Sequence, residues 1–244
     1  MCMKNFFAIL GGMGTLATES FVHVLNERTP NHSDQDYLNY VLINHATVPD
    51  RTAFILGKSE KSPVAALKED IRQYSTLEPR FFVLTCNTAH HFYDELVETT
   101  TTPLLHMPRL AVQAVLKKFV DLERPIRVGV LATEGTIQSK VYENELNSYA
   151  NIETIIPNQE IQQQVTHLIY RDIKERNFLN QELYFSILDQ MIREQQCDVV
   201  LLGCTELSLM QESTKNAAYS VIDAQSELVD ETIRLALEYR QADS

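Results

Sequence analysis

Two thiols stand where chemistry would want them. Cys86 follows the apolar run Phe81-Phe82-Val83-Leu84-Thr85 and precedes Asn87-Thr88-Ala89-His90-His91, and Cys204 follows Val199-Val200-Leu201-Leu202-Gly203 and precedes Thr205-Glu206. Each run reads as a strand, so each thiol sits at a strand end and opens a helix. Amides at a helix N-terminus stabilise a thiolate, and a thiol pKa of about 8.5 can fall by a unit or more there. Both thiols are therefore expected to ionise easily. An isolated buried cysteine is ordinarily inert, and Cys2 and Cys197 are read that way. Cys86 and Cys204 differ because polar, hydrogen-bonding residues follow both. A structural disulfide is not expected in a cytoplasmic chain of this size. Zinc is the competing use of Cys86, His90, His91 and Cys204, but there is no CxxC or HExxH, and adjacent histidines on a helix point apart, so no metal is expected. His90 reads as a residue that orients a substrate or a thiol, or as a helix cap, and His106 and His167 as structural.

Two cations stand out near the expected strand and helix ends. Arg51, in Val48-Pro49-Asp50-Arg51-Thr52, would grip a carboxylate with two hydrogen bonds, or pair structurally with Asp50. Lys174, in Asp172-Ile173-Lys174-Glu175-Arg176, is either a ligand cation or a stabiliser of a helix C-terminus. Thr88, Thr133, Thr136 and Thr205 are placed to donate to a bound carboxylate or to cap helices. The stretch Gly12-Met13-Gly14-Thr15-Leu16-Ala17 fits a GxGxxG/A dinucleotide turn. The second strand ends Asn44-His45 instead of in the acid that would hold a ribose, so a general anion-binding turn is the better reading, beside a plain tight turn.

Positioning these residues requires an alternation of short strands and longer helices. Strands are expected at Phe6 to Leu10, Tyr40 to Asn44, Phe81 to Thr85, Arg127 to Ala132, Glu153 to Ile156, Val199 to Leu202 and Tyr219 to Ile222. Helical periodicity occupies Leu16 to Glu27, Val64 to Tyr74, His90 to Val97, Leu110 to Val120, Val141 to Tyr149, Gln159 to Glu175, Gln181 to Glu194 and Ser226 to Tyr239. The pattern predicts an α/β fold of parallel sheets flanked by helices, with ligands beyond the strand carboxyl ends. A loose internal echo, in which each half begins with a strand and a turn and later carries a strand ending in cysteine, predicts two similar domains with the active site between them. The expected division is 1–103 joined by the C-terminal segment 221–244, and 104–220, because Thr99 to Pro103 interrupts both periodicities.

Composition bounds the rest. The chain has 244 residues, 44% hydrophobic and 22% charged, with a net charge of −12, which suits soluble globular structure and disfavours nucleic-acid or anionic-membrane surfaces. No apolar run approaches the roughly 18 residues of a membrane-spanning helix, and Phe6 to Leu10 is too short for a signal peptide, so a cytoplasmic address is expected.

The set Gly11-Gly12-Met13-Gly14, Pro49-Asp50-Arg51-Thr52, Cys86-Asn87-Thr88-Ala89-His90, Leu131-Ala132-Thr133 with Gly135-Thr136, and Gly203-Cys204-Thr205-Glu206 resembles the aspartate/glutamate racemase family, its aspartate branch above all. The resemblance covers nearly the whole chain. It implies an isomerase without pyridoxal phosphate or other cofactor that inverts Cα of an acidic amino acid, most of all aspartate, and works as a homodimer. By the same resemblance Cys86 and Cys204 are the two catalytic bases, Arg51 binds the substrate carboxylate, and Asn87, Thr88 and Lys174 bind substrate. The motif positions Met13, Thr52, Ala89, Thr133 and Thr205 join them as substrate-binding candidates. Thr15 stands where the family often has proline. Glutamate or broad-specificity racemases share these motifs, and a non-catalytic dicarboxylate-binding protein would keep the same anion cradle.

Overall fold

All seven expected strands form in the computed structural model, which describes residues 3–242. Cys2 lies outside those residues. Strands β1 (Phe6–Gly11), β2 (Asn39–Asn44) and β3 (Phe82–Leu84) make one sheet in the order β2-β1-β3. Strands β4 (Ile126–Ala132), β5 (Ile152–Ile155), β6 (Val199–Gly203) and β7 (Val221–Asp223) make a second, in the order β5-β4-β6-β7. Every pairing is parallel. The central strands β1 and β6 are buried along their whole length, which is why they read as unbroken apolar runs rather than alternating ones. Edge strand β2 has only Ile43 buried.

Helices flank both sheets, so the predicted architecture holds. They are α1 (Thr15–Arg28), α2 (Arg51–Ile55), α3 (Val64–Ser75), α4 (Tyr93–Val97), α5 (Met107–Lys118), α6 (Glu134–Ser139), α7 (Val141–Asn147), α8 (Gln159–Thr166), α9 (Gln181–Asp189), α10 (Thr205–Thr214) and α11 (Ala224–Ala242). Two stretches expected to be uniform helix change winding: α8 continues as a π-helix over His167–Glu175, and α9 over Gln190–Glu194. The segment expected as helix from His90 is a 3₁₀ turn, Thr88–Phe92, leading into α4. Short helices α2 and α6 escape periodicity analysis because five or six residues make barely two turns. Each is announced by its cap instead: Asp50 accepts Ala53 N–H at 2.6 Å and Thr133 accepts Thr136 N–H at 3.1 Å.

One apolar cluster joins the facing sides of the two sheets. Phe7, Ile9 and Val83 of the first sheet share it with Val128, Val130 and Leu201 of the second, closed by Met107, Val112, Leu228 and Val229 of α5 and α11. Separate clusters cover the other sides, one around Leu10, Leu84 and Ile71, the other around Leu131, Leu202 and Leu168. Strand β7 pairs with β6, and α11 lies against both α1 and α5. This shared core fixes the two sets of strand ends relative to one another. Among the described residues no helix is long and apolar enough to cross a membrane.

Candidate active site

The carboxyl ends of β3 and β6 deliver Cys86 and Cys204 to the wall of one cavity. Both side chains are buried. The remaining wall comes from Met13 after β1, Asp50, Arg51 and Thr52 at the start of α2, Asn87 and Thr88 after Cys86, Thr133 after β4, Tyr170 and Lys174 of the π-helix, and Thr205 and Glu206 at the start of α10. Ten of the eleven candidates from the sequence are thus brought together. Ala89 is not: it is fully buried among Leu84, Phe92 and Leu96 and serves packing. The space between these residues open to a water centre is only about 10 Å³, room for about one water.

Arg51 is buried without a carboxylate partner among the described residues. Its Nη1 donates to the carbonyls of Val48 (3.2 Å) and Pro49 (3.1 Å), and its Nη2 to that of Met13 (3.0 Å). Nε remains buried with no partner. The alternative pairing with Asp50 does not form, because the Asp50 carboxylate is spent on the N-terminus of α2. Asn87 is similarly half-committed. Its Oδ1 accepts the Tyr142 hydroxyl, while Nδ2 is buried with no partner. A buried cation and a buried amide donor facing one cavity favour an anion there, since an unpaired buried polar group is costly.

The other end of the cavity is ionic. Lys174 Nζ lies 3.4 Å from Glu206 Oε1 and 4.9 Å from the Tyr170 ring centre. Burial disfavours the ammonium, but Glu206, with Cys204, Tyr170 and Cys86 beyond it, outweighs that and holds Lys174 above the ordinary lysine range. Lys174 also stands in the last turn of the π-helix, so the helix-terminus role read from the sequence is kept beside the contact with Glu206. The Cys204 thiol donates to Glu206 Oε2 at 3.0 Å. The expectation of an easily ionised Cys204 is overturned here: burial first, then the Glu206 charge, push this thiol well above its usual range, despite its place at the N-cap of α10 and the opposing pull of Lys174. A helix terminus contributes about half a charge, whereas Glu206 brings a full one into direct contact.

Four threonine hydroxyls knit the two halves together over the site. Thr52 donates to Thr133 (3.2 Å), and Thr88 lies 3.2 Å from Thr133 and 2.9 Å from Thr136. Gly135 lets α6 approach α2 this closely, because a Cβ there would stand 2.7 Å from the Thr52 Cα. The glycine turn after β1 is closed from within: Gly12 has φ +90° and donates its N–H to Thr18 Oγ1 at 3.0 Å, leaving that amide no part in anion binding. His90 does not orient a thiol through its ring. Its Nδ1, 2.9 Å from the Cys86 carbonyl, carries the proton, and Nε2 accepts Met107 N–H at 3.1 Å. Burial, with His106 nearby, pushes its pKa down to about 3, so the neutral ring ties the Cys86 turn to α5.

Sequence reasoning assigned no role to Tyr170 or Glu206, and gave Asp50 only a pairing with Arg51 that does not form. Glu206 and Asp50 lay inside the quoted motifs, and Tyr170 stands four residues before Lys174, a spacing that shares a helix face. Nothing in the sequence pointed to the contact between Tyr142 and Asn87, which are 55 positions apart.

The model of the Asp/Glu/hydantoin racemase family matches residues 10–232. The chain belongs to this family. Its named members below are isomerases of amino acids. The aspartate racemase of Picrophilus torridus is 29% identical, with a TM-score of 0.78 over 98% of this chain and 99% of that one. The broad specificity amino-acid racemase RacX of Bacillus subtilis (strain 168) is 29% identical over 163 residues, 66% of this chain and 66% of RacX, just under two thirds of that relative's length. Glutamate racemase from Francisella tularensis subsp. tularensis SCHU S4, solved with D-glutamate, shares the fold at 20% identity, with a TM-score of 0.62 over 96% of this chain and 81% of that one. Two parallel sheets flanked by helices are thus the fold that this chain shares with these racemases.

Proposed function

We propose that this family member is an amino-acid racemase that inverts Cα of an acidic amino acid, aspartate before glutamate, by proton transfer between Cys86 and Cys204 and without pyridoxal phosphate. The observation that carries the reading is that two buried thiols from different sheets line one cavity with an uncompensated Arg51. Inversion needs a base on one face of Cα and an acid on the other, and two thiols converging from separate halves supply both. One sulfur takes the α-proton as thiolate while the opposite thiol returns one, and the roles exchange with the handedness of the substrate. Burial and the Glu206 carboxylate that accepts its S–H favour Cys204 as the thiol, the acid of the pair.

Charge developing on the α-carboxylate falls to Arg51 and to donors already in place, Asn87 Nδ2 and the threonines, which need no reorganisation as the reaction proceeds. Lys174 is the partner for the second carboxylate. The Picrophilus torridus aspartate racemase, at 29% identity over nearly its whole length, favours aspartate, and RacX keeps a broader range open to test. The same reading treats 1–103 with the C-terminal helix α11, and 104–220 extended by β7, which pairs with β6, as the two domains, and has the protein as a cytoplasmic homodimer. Sedimentation of the purified chain measures the latter.

Incubating each enantiomer of aspartate, glutamate and alanine in deuterated water, with chiral separation of the products, tests the function. Aspartate should racemise fastest and its product should carry deuterium at Cα. Cys86→Ser and Cys204→Ser should each abolish turnover while aspartate still raises the melting temperature. Binding of aspartate by the native protein without racemisation would replace this reading with a dicarboxylate-binding one.

A further inference from the structure

Glu206 has no task in a bare two-thiol exchange, yet it is buried and both its oxygens are committed. Oε2 accepts the Cys204 thiol at 3.0 Å and the Thr205 hydroxyl at 3.4 Å, and Oε1 faces Lys174 Nζ at 3.4 Å. A carboxylate on a lysine ammonium, in a cavity with room for about one water, is already where a substrate's second carboxylate would have to go. Two carboxylates crowded onto one ammonium repel, and one of them must then move away or take a proton.

We propose that Glu206 is an internal stand-in for the substrate's side-chain carboxylate: before substrate binds it holds Lys174 and accepts the Cys204 S–H, and it yields Lys174 to the substrate and then takes the Cys204 proton. The inference rests on the racemase reading above. In this step the S–H bond of Cys204 breaks and its electron pair stays on sulfur, while an O–H bond forms at Glu206 Oε2. A thiol and a carboxylate become a thiolate and a carboxylic acid. The pair carries one negative charge before and after, so no proton is exchanged with solvent. What moves the proton is the loss of Lys174, whose ammonium at 3.4 Å favours ionised Glu206 only while the two face each other. After burial, the charge of Glu206 is the next cause that raises the Cys204 thiol pKa. An amino acid without a second carboxylate, such as alanine, leaves Lys174 on Glu206 and Cys204 protonated. Selectivity for acidic substrates then lies in turnover as well as in binding. Glu206 acts through Cys204 and Lys174, so it is a positioning residue and not a base toward Cα.

The test uses the full-length protein and succinate, a dicarboxylate that cannot racemise. Glu206→Gln keeps the shape but removes the charge that competes for Lys174. It should bind succinate about tenfold more tightly by calorimetry, the worth of one charge-assisted contact no longer displaced. Its kcat for aspartate should fall about a hundredfold, the scale of a lost proton acceptor, with KM falling as well. Glu206→Asp retains the charge and should bind succinate as the parent does, which separates the effect from damage to folding. Unchanged or weaker succinate binding by Glu206→Gln would overturn the inference, and so would parental kcat in that variant. If the parent racemises no acidic amino acid, the racemase reading fails by itself, while the succinate comparison still reports whether Glu206 competes for Lys174.

Discussion

Gly135→Ala probes how strictly the contact between the two halves sets the geometry of the site. A Cβ at this position would lie 2.7 Å from both Cα and Oγ1 of Thr52, and 3.0 Å from its Cβ. Because Cα is backbone, no rotamer change relieves the contact, and α2 must retreat by about 0.7 Å to reach the 3.4 Å of ordinary contact. Arg51 precedes Thr52 on the same helix and moves with it, and the Thr52–Thr133 hydrogen bond at 3.2 Å breaks. Overpacking of this kind costs about 1–3 kcal/mol, and alanine in place of a helical glycine returns about 0.5–1 kcal/mol, so the net loss is about 0–2.5 kcal/mol. At about 2–4 °C per kcal/mol for a chain of this size, the melting temperature should fall by less than about 10 °C. Catalysis is far more sensitive. A displacement near 1 Å of a positioning group costs about a hundredfold, so kcat/KM for aspartate should drop about ten- to a hundredfold in protein that remains folded. Chiral chromatography and a thermal melt on one preparation measure both quantities. Parental kcat/KM at the parental melting temperature would refute the reasoning, and so would an activity loss that merely follows the fraction unfolded.

Tyr142→Phe removes the hydroxyl that donates to the buried Asn87 Oδ1, leaving an unpaired carbonyl that costs about 1–3 kcal/mol. A lower urea midpoint with a raised KM for aspartate is expected, and an unchanged midpoint would show that Asn87 finds another donor. His90 sets a pH dependence. Its folded pKa of about 3 lies below the ordinary 6.5, so the unfolded chain takes up a proton first, and stability drains as pH falls from 6.5 toward 3. The expected slope from this one residue is about 1.4 kcal/mol per pH unit in urea unfolding. His90→Gln should lose that part of the slope, and parallel slopes for parent and variant would count against it.

The strands were legible because buried parallel strands need unbroken runs of branched and aromatic residues. All seven expected segments coincide with observed strands to within two residues at their ends. The cysteines were legible because a scarce residue type stands at two strand ends, and Arg51 and Lys174 because a cation at an element terminus is a candidate ligand for a carboxylate. The short helices α2 and α6 and the π-windings were not, since a change from 3.6 to a wider turn over nine residues leaves the apolar spacing almost unaltered. That winding carries Tyr170 and Lys174 into the cavity wall together. The dinucleotide-like turn misled in part, because whether a backbone amide is free depends on a side chain six residues on, Thr18.

By itself, then, the sequence determined the alternation of elements, the strand-end placement of Cys86 and Cys204, and the family. It could do so because these depend on local periodicity and residue type. Only the tertiary structure decided the burial and charge that raise the Cys204 thiol, the bonding of Arg51 to main-chain carbonyls with no carboxylate among the described residues, and the commitment of Glu206 to both Cys204 and Lys174. Those are sums of burial and charge over groups distant in the chain. A helix N-terminus read from sequence supplies one contribution to that sum, and Glu206, two residues beyond the thiol, outweighs it only once the fold has closed over both.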